Sequence, residues 1–277
     1  MTERRYDAIL LDADGTLVDD SGAIRPRVLD GLRAIHERGV RVMVATGRSE
    51  AATRELLEEL GFDTPAVVFN GAGVYCPVER RLTEERILAE ETVESTLSFC
   101  REVDALPVVI RAGQKFAVRA RDEHEATALR YFHDMREVVW DDLPREYVIR
   151  VTLFTTRYDD SYALAGGLET AIERPVYLTH FPLNALADHR ESPLLVADVH
   201  PPCRGKAEGV RLLEELYDIP AERVVAVGDA TNDLPMFAAA GLGVAMENAM
   251  DEALQAADRV IGNNNTDALR DLVDELF

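Results

Sequence analysis

The chain has 277 residues, enough for a full core and for two domains, and 47% of them are hydrophobic, which excludes a disordered protein. No apolar run is long enough to span a bilayer, and the opening "MTERRYDAIL" lacks the apolar stretch and cleavage site of a secretory leader, so a cytoplasmic protein is expected. A formal net charge of −21 argues against nucleic-acid or anionic-membrane partners, both of which need a basic face.

The same charge means that an anionic ligand must be held by local positive groups against the global field. Lysine occurs only at Lys115 and Lys206. Cys76, Cys100 and Cys203 are few and odd in number and show no metal-ligand spacing, so neither a disulfide framework nor a thiolate metal site is expected.

Residues 7–11 read as a short buried strand. Over 26–38, Val28, Leu32 and Ile35 fall at helical spacing, with Pro26 near the start and Gly39 as a stop. The apolar run at 40–45 reads as a strand covered on both faces. A helix over 50–60, ended by Gly61, and a third strand at 65–69 extend this into a parallel βαβ pattern.

The middle of the chain differs. It reads as a helix over 84–101, strands at 107–110 and 115–120, and a helix over 122–134. A strand at 147–155, a helix over 159–173, "PVYLTHF" and a strand at 194–199 follow. This is an antiparallel or mixed sheet with helices on one side. The first pattern then resumes, with a helix over 206–217, a strand at 223–227, a helix over 232–240 and a strand at 243–246. A last helix is expected over 266–276, with Thr266 as its N-cap. The expected fold class is α/β: a parallel-sheet, Rossmann-like core over 1–82 and 199–277, interrupted by an inserted α+β domain over 83–198.

Four polar clusters stand where such a core gathers ligands. Asp12 and Asp14 follow the first strand, Thr46-Gly47-Arg48 the second, and "GDATND" with Asp229, Asn232 and Asp233 follows the strand at 223–227. Lys206 opens a helix. In open α/β sheets ligands bind beyond the C-terminal strand ends, so the fold can bring the four together. Carboxylates from separate segments would repel one another unless a cation neutralised them, and an all-oxygen set suits Mg²⁺. Thr46 offers a hydroxyl and Lys206 a point charge, both fit for a phosphoryl oxygen. Taken singly, each cluster reads as surface charge, a turn or a helix cap; their order along the chain is what carries the functional reading.

"DADGTL", Thr46, Lys206 and "GDATND" together resemble the four motifs of the haloacid dehalogenase superfamily of phosphotransferases. "FNGAGVY" at 69–75 and "GLGVAMENAMDEALQAADRVIGNNNTDAL" at 241–269 resemble its Cof-type phosphatases, subfamily IIB. The stretch between Asp14 and Thr46 has room for a helix but not for a domain. The insertion falls between Thr46 and Lys206, where that branch places its C2 cap.

The resemblance implies a phosphatase acting on a small phosphate ester, by default a sugar phosphate. Asp12 would be the nucleophile that forms an aspartyl-phosphate, and Asp14 the general acid and then base. Mg²⁺ would be held by Asp12, the Asp14 carbonyl and Asp229, with Asp233 direct or through water. Thr46, Lys206 and Asn232 would hold the phosphoryl group, with Gly47, Arg48 and Asn70 as further substrate contacts. A mannosyl-3-phosphoglycerate or sucrose-phosphatase-like enzyme, a phosphomutase and a non-catalytic binding protein are the alternatives. The chain departs from the family pattern at Ala230, where glycine is common; the methyl group is tolerated if that backbone is not at positive φ. It departs again at Gly205 and Glu247.

Overall fold

Ala8–Leu11 (β1) is buried at every position, as a parallel strand must be when helices cover both sheet faces. The computed structural model describes residues 5–130, 132, 134–186 and 189–277. Of the sequence expectations, the leader reading rests partly on residues 1–4, and the helix over 122–134 includes 131 and 133, which lie outside the described residues. The chain divides into two compact units: the segment up to Glu84 with Arg204–Phe277, and Glu85–Cys203.

In the first unit β1 pairs in parallel with Arg41–Val44 (β2) on one side and Val224–Gly228 (β12) on the other. Leu242–Met246 (β13) and Arg259–Ile261 (β14) extend the sheet, giving the order β14-β13-β12-β1-β2. The chain runs outward from β1 toward β2, and later outward from β12 toward β14. The reversal therefore falls between β1 and β12, where such sheets open a ligand crevice.

Helices Pro26–Glu37 (α1), Glu50–Leu60 (α2), Glu208–Tyr217 (α6), Leu234–Ala239 (α7), Asp251–Ala256 (α8) and Ala268–Leu276 (α9) belong to this unit. α1 buries the predicted stripe of Val28, Leu32 and Ile35. α2 is capped by the Ser49 hydroxyl and stopped by Gly61 in the left-handed region, the stop expected of a glycine there.

Three expectations for this unit need correction. The strand at Ala66–Val68 (β3) is not a full member of the parallel sheet. A single parallel bridge, Ala45↔Val67, links it to the end of β2. Its ladder is instead antiparallel to Gly73–Cys76 (β4), and Arg81–Glu85 (β5) completes a separate three-stranded sheet. Residues 84 and 85 are accordingly strand, and the helix expected from 84 starts at Glu90. The acidic run "TEE" favours helix locally, but pairing with a neighbouring strand overrides that preference. Thr266 is not the N-cap of α9. Asp267 takes that place, with its carboxylate engaged by Arg25 and Arg27, while Thr266 Oγ1 receives the Ala268 N–H at 3.3 Å.

The second unit is a six-stranded sheet. It comprises Leu106–Arg111 (β6), Gln114–Ala117 (β7), Met135–Glu137 (β8), Arg150–Thr155 (β9), Tyr177–Pro182 (β10) and Leu195–His200 (β11), in the order β10-β11-β9-β6-β7-β8. All its pairings are antiparallel except β7 with β8. Val109, Val151, Leu153, Ala197 and Val199 point from one face into a core with Val93 and Leu97 of Glu90–Glu102 (α3) and Leu164 and Leu168 of Ser161–Ala171 (α5). Trp140 packs against that core. A third helix, Glu123–Leu129 (α4), is capped by Asp122.

Candidate active site

The C-terminal ends of β1 and β12 meet at the point of strand-order reversal. Asp12 continues β1, its N–H donating to Val227 O at 2.9 Å, so its buried carboxylate is fixed by the sheet itself. The loop after β12 supplies Asp229 and Asp233. One oxygen from each of Asp12, Asp229 and Asp233 lies within 4.8 Å of the others. Lys206, 1% exposed, donates from Nζ to Asp12 Oδ1 and to Asp233 Oδ1, both at 2.6 Å. One of the chain's two lysines is thus spent on a buried contact between two of the acids.

Asp233 is the most engaged of the three. Its Oδ2 receives the N–H groups of Asp229 and Ala230, each at 2.9 Å, which folds the loop back on itself. Gly228 allows this approach, since a Cβ there would collide with the Asp233 carboxylate. Ala230 sits at φ −128°, extended backbone that accepts its methyl group.

Burial pushes the Asp12 carboxyl up to about 7, and the nearby Asp233 and Asp14 charges add to the rise against the pull of Lys206. Burial and the Asp12 and Asp233 charges likewise hold Asp229 well above the carboxylate range. At Lys206 burial opposes the charge, yet the two aspartates outweigh it and keep the ammonium protonated. One ammonium does not balance three convergent carboxylates. The donor set is all oxygen, and a hard divalent cation fits it on charge and on chemistry.

Asp14 stands on the turn that leaves β1. Gly15 takes φ +76°, and a Cβ at that position would strike the Asp229 carboxylate. Asp14 is gripped by Arg48, whose Nε donates to Oδ2 at 2.9 Å and Nη2 to Oδ1 at 2.5 Å, a bidentate pair. Arg48, expected among the substrate contacts, is here turned onto the other acid of the first cluster. Thr46 is buried at the end of β2, its Oγ1 accepting the Arg48 N–H at 3.1 Å. Gly47 faces Asn70: a Cβ on it would lie 3.1 Å from Asn70 Oδ1. Asn70 in turn accepts from Asn232 Nδ2 at 3.0 Å. Every candidate site residue named from the sequence thus lies in the first unit, at this end of the sheet.

Three residues escaped the sequence reading. Thr16, inside "DADGTL", is buried and donates to Asp229 Oδ1 at 3.4 Å. Asn248 Nδ2 donates to Gly15 O at 2.8 Å, and Asn248 Oδ1 receives the Asn264 N–H at 3.0 Å. Buried Asn264 also donates to Val18 O at 3.1 Å. The C-terminal "MENA" and "NNNTD" segments therefore brace the Asp14 turn. Their asparagines were the available signal, quoted in the sequence only within the stretch at 241–269 that carries the resemblance.

A family model described as haloacid dehalogenase-like hydrolase matches residues 9–273. The chain belongs to that family. A pyridoxal phosphate phosphatase of Escherichia coli is 31% identical, the match covering 96% of each chain. A 5-amino-6-(5-phospho-D-ribitylamino)uracil phosphatase of Bacillus subtilis is 27% identical over 97% of each. A solved sugar phosphatase of subclass IIB in this superfamily shares the fold, with a TM-score of 0.79 and 20% identity over 97% of this chain and 98% of that one. The chain is a phosphatase of the haloacid dehalogenase-like family. Among its described residues no helix is long and apolar enough to cross a membrane.

Proposed function

We propose that the protein is a Mg²⁺-dependent phosphatase that hydrolyses a small organic phosphate monoester, by default a sugar phosphate, through an aspartyl-phosphate on Asp12. The observation that carries this reading is the buried Asp12 carboxylate at the end of β1. It is held by Lys206 at 2.6 Å, with oxygens of Asp229 and Asp233 within 4.8 Å. A buried acid raised by burial and like charge beside a specific charge partner marks a functional-site candidate.

Asp12, the Asp14 carbonyl and Asp229 would hold the cation. Asp233, with Oδ1 on Lys206 and Oδ2 on two N–H groups, would serve directly or through water. When bound, Mg²⁺ draws charge off the phosphoryl oxygens. Thr46, Lys206 and Asn232 take the same oxygens from the protein side. In the first half-reaction the Asp12 carboxylate forms a bond to phosphorus as the ester P–O bond breaks, and protonated Asp14 gives its proton to the leaving oxygen. In the second, Asp14 as carboxylate takes a proton from water, whose oxygen attacks phosphorus. Phosphate leaves and Asp12 is regenerated.

The named activities of the relatives, on a pyridoxal phosphate and a ribitylamino-uracil phosphate, support a small phosphorylated metabolite over a macromolecule. The net charge of −21 supports the absence of nucleic-acid and membrane partners, and a cytoplasmic setting completes the proposal.

The test is a steady-state phosphate-release screen over sugar, polyol, nucleotide and cofactor monophosphates, with Mg²⁺ and with EDTA. Magnesium-dependent turnover of at least one sugar or polyol phosphate is expected. Release that is indifferent to EDTA would refute the metal assignment, and an isomerised product without free phosphate would identify a mutase instead.

A further inference from the structure

Three consecutive residues after β3, Phe69, Asn70 and Gly71, hold positive φ angles of 52°, 51° and 95°. Such a run is uncommon outside glycine, and Phe69 is fully buried, so its surroundings over-determine it. Those surroundings are the other loops of the site. The Phe69 N–H donates to Arg48 O at 2.9 Å and the Asn70 N–H to Thr46 O at 3.0 Å, which ties the turn to the loop after β2. Asn70 Oδ1 accepts from Asn232 Nδ2, which ties it to the loop after β12. Gly71 lies so close to the Gly205 carbonyl that an added methyl group would collide with it. Gly205, itself at φ 62°, carries Lys206 as the next residue.

Each loop that bears a phosphoryl-facing group is thus fastened to one three-residue turn. Asn232 depends on it most. Its Oδ1 is buried and takes no hydrogen bond among the described residues, so its amide is held from the nitrogen side by Asn70. The left-handed backbone is what aims the Asn70 side chain at Asn232 while both N–H groups reach back to the loop after β2.

We propose that Asn70 is a positioning residue: from the Phe69–Gly71 turn it orients the Asn232 amide and sets it in register with Thr46 and Lys206 around the phosphoryl group. The inference rests on the phosphatase reading above. It differs from a direct substrate contact by Asn70, because here the side chain acts through Asn232.

The experiment compares wild type, Asn70→Gly, Asn232→Ala and the double variant, reading kcat, KM and the inhibition constant of orthovanadate, a mimic of the five-coordinate phosphoryl group. Glycine adopts the left-handed backbone freely, so Asn70→Gly removes the amide and keeps the turn. The single variant is expected to raise the vanadate inhibition constant and lower kcat/KM by roughly 10- to 100-fold, the effect of a small misplacement at a distance from the chemistry. The double variant is expected to match Asn232→Ala, since a residue acting through another adds nothing once that other is gone.

An inhibition constant does not depend on the fraction of enzyme folded. A purely structural role would lower the rate and leave that constant unmoved, and this result would overturn the inference. Losses that multiply in the double variant would overturn it too, by showing independent action. Failure of the underlying reading is visible separately, in wild type alone: no magnesium-dependent, vanadate-sensitive phosphate release from a monoester panel would remove the reading and this inference with it.

Discussion

Replacing Lys206 by methionine tests how the site is balanced. The side chain is 1% exposed and its ammonium donates to Asp12 and Asp233 at 2.6 Å each, so the variant keeps most of the volume and removes the charge. Deleting one partner of a buried ion pair leaves an uncompensated charge and destabilises by about 3–5 kcal/mol. Asp233 retains its two backbone donors, so Asp12 bears most of the loss. Asp12 already sits near 7 with the lysine present, and without it rises further. Its protonation relieves the penalty, so in EDTA the deficit should be larger at pH 8 than at pH 5.5.

Urea denaturation reads the deficit. With a slope of about 2–3 kcal/mol per molar urea, the midpoint at pH 8 should fall by about 1–2 M. Far-ultraviolet circular dichroism is the probe, because the one tryptophan, Trp140, belongs to the other unit. Adding Mg²⁺ should restore part of the loss by mass action. The variant's kcat should fall by roughly 10²–10³, the effect of losing one preorganised donor to the transition state. A midpoint unchanged at pH 8, or equally lowered at pH 5.5, would refute the electrostatic account.

The other predictions bear on the acids and their turn. Asp12→Asn should abolish turnover with an unchanged circular dichroism spectrum; phosphate release at the wild-type rate would sink the nucleophile assignment. Gly15→Ala places a methyl group against Asp229 at a φ of +76°, so Mg²⁺ binding by calorimetry should weaken by at least tenfold, the lower end of the roughly 10–100-fold effects seen around metal sites. In EDTA, wild type should lose stability as pH rises from about 4 toward 7. A carboxyl raised from 3.8 to about 7 binds more protons folded than unfolded across that window. Mg²⁺ should flatten or reverse this slope, and a metal-free protein most stable at pH 7.5 would contradict the raised Asp12.

Local pattern made much of the core legible. β1, β2, β12 and β13 read as strands because apolar runs bounded by turns have few other interpretations. Their C-terminal ends place Asp12, Thr46 and Asp229 on one side from pattern alone, because a parallel sheet shares one direction. β14 and the helix at Asp251–Ala256 were missed, being three and six residues long in mixed polar sequence. The run around 84 misled, because its acidic residues prefer helix and only a neighbouring strand makes them a sheet edge.

The sequence by itself picked out the candidate side chains and implied that they lie at one end of one sheet. It had no means to say how they pair. Asp14 with Arg48, Thr16 with Asp229, Asn248 with Gly15 and Asn232 with Asn70 are separated in sequence by 34, 213, 233 and 162 positions. Nothing in the spacing of one partner encodes the other. Periodicity is a property of neighbouring residues, whereas these hydrogen bonds depend on strand order, on the direction of each loop and on left-handed turns such as Phe69–Gly71. Tertiary structure alone decided that Arg48 grips Asp14, and that three residues after β3 link the loops after β2 and β12.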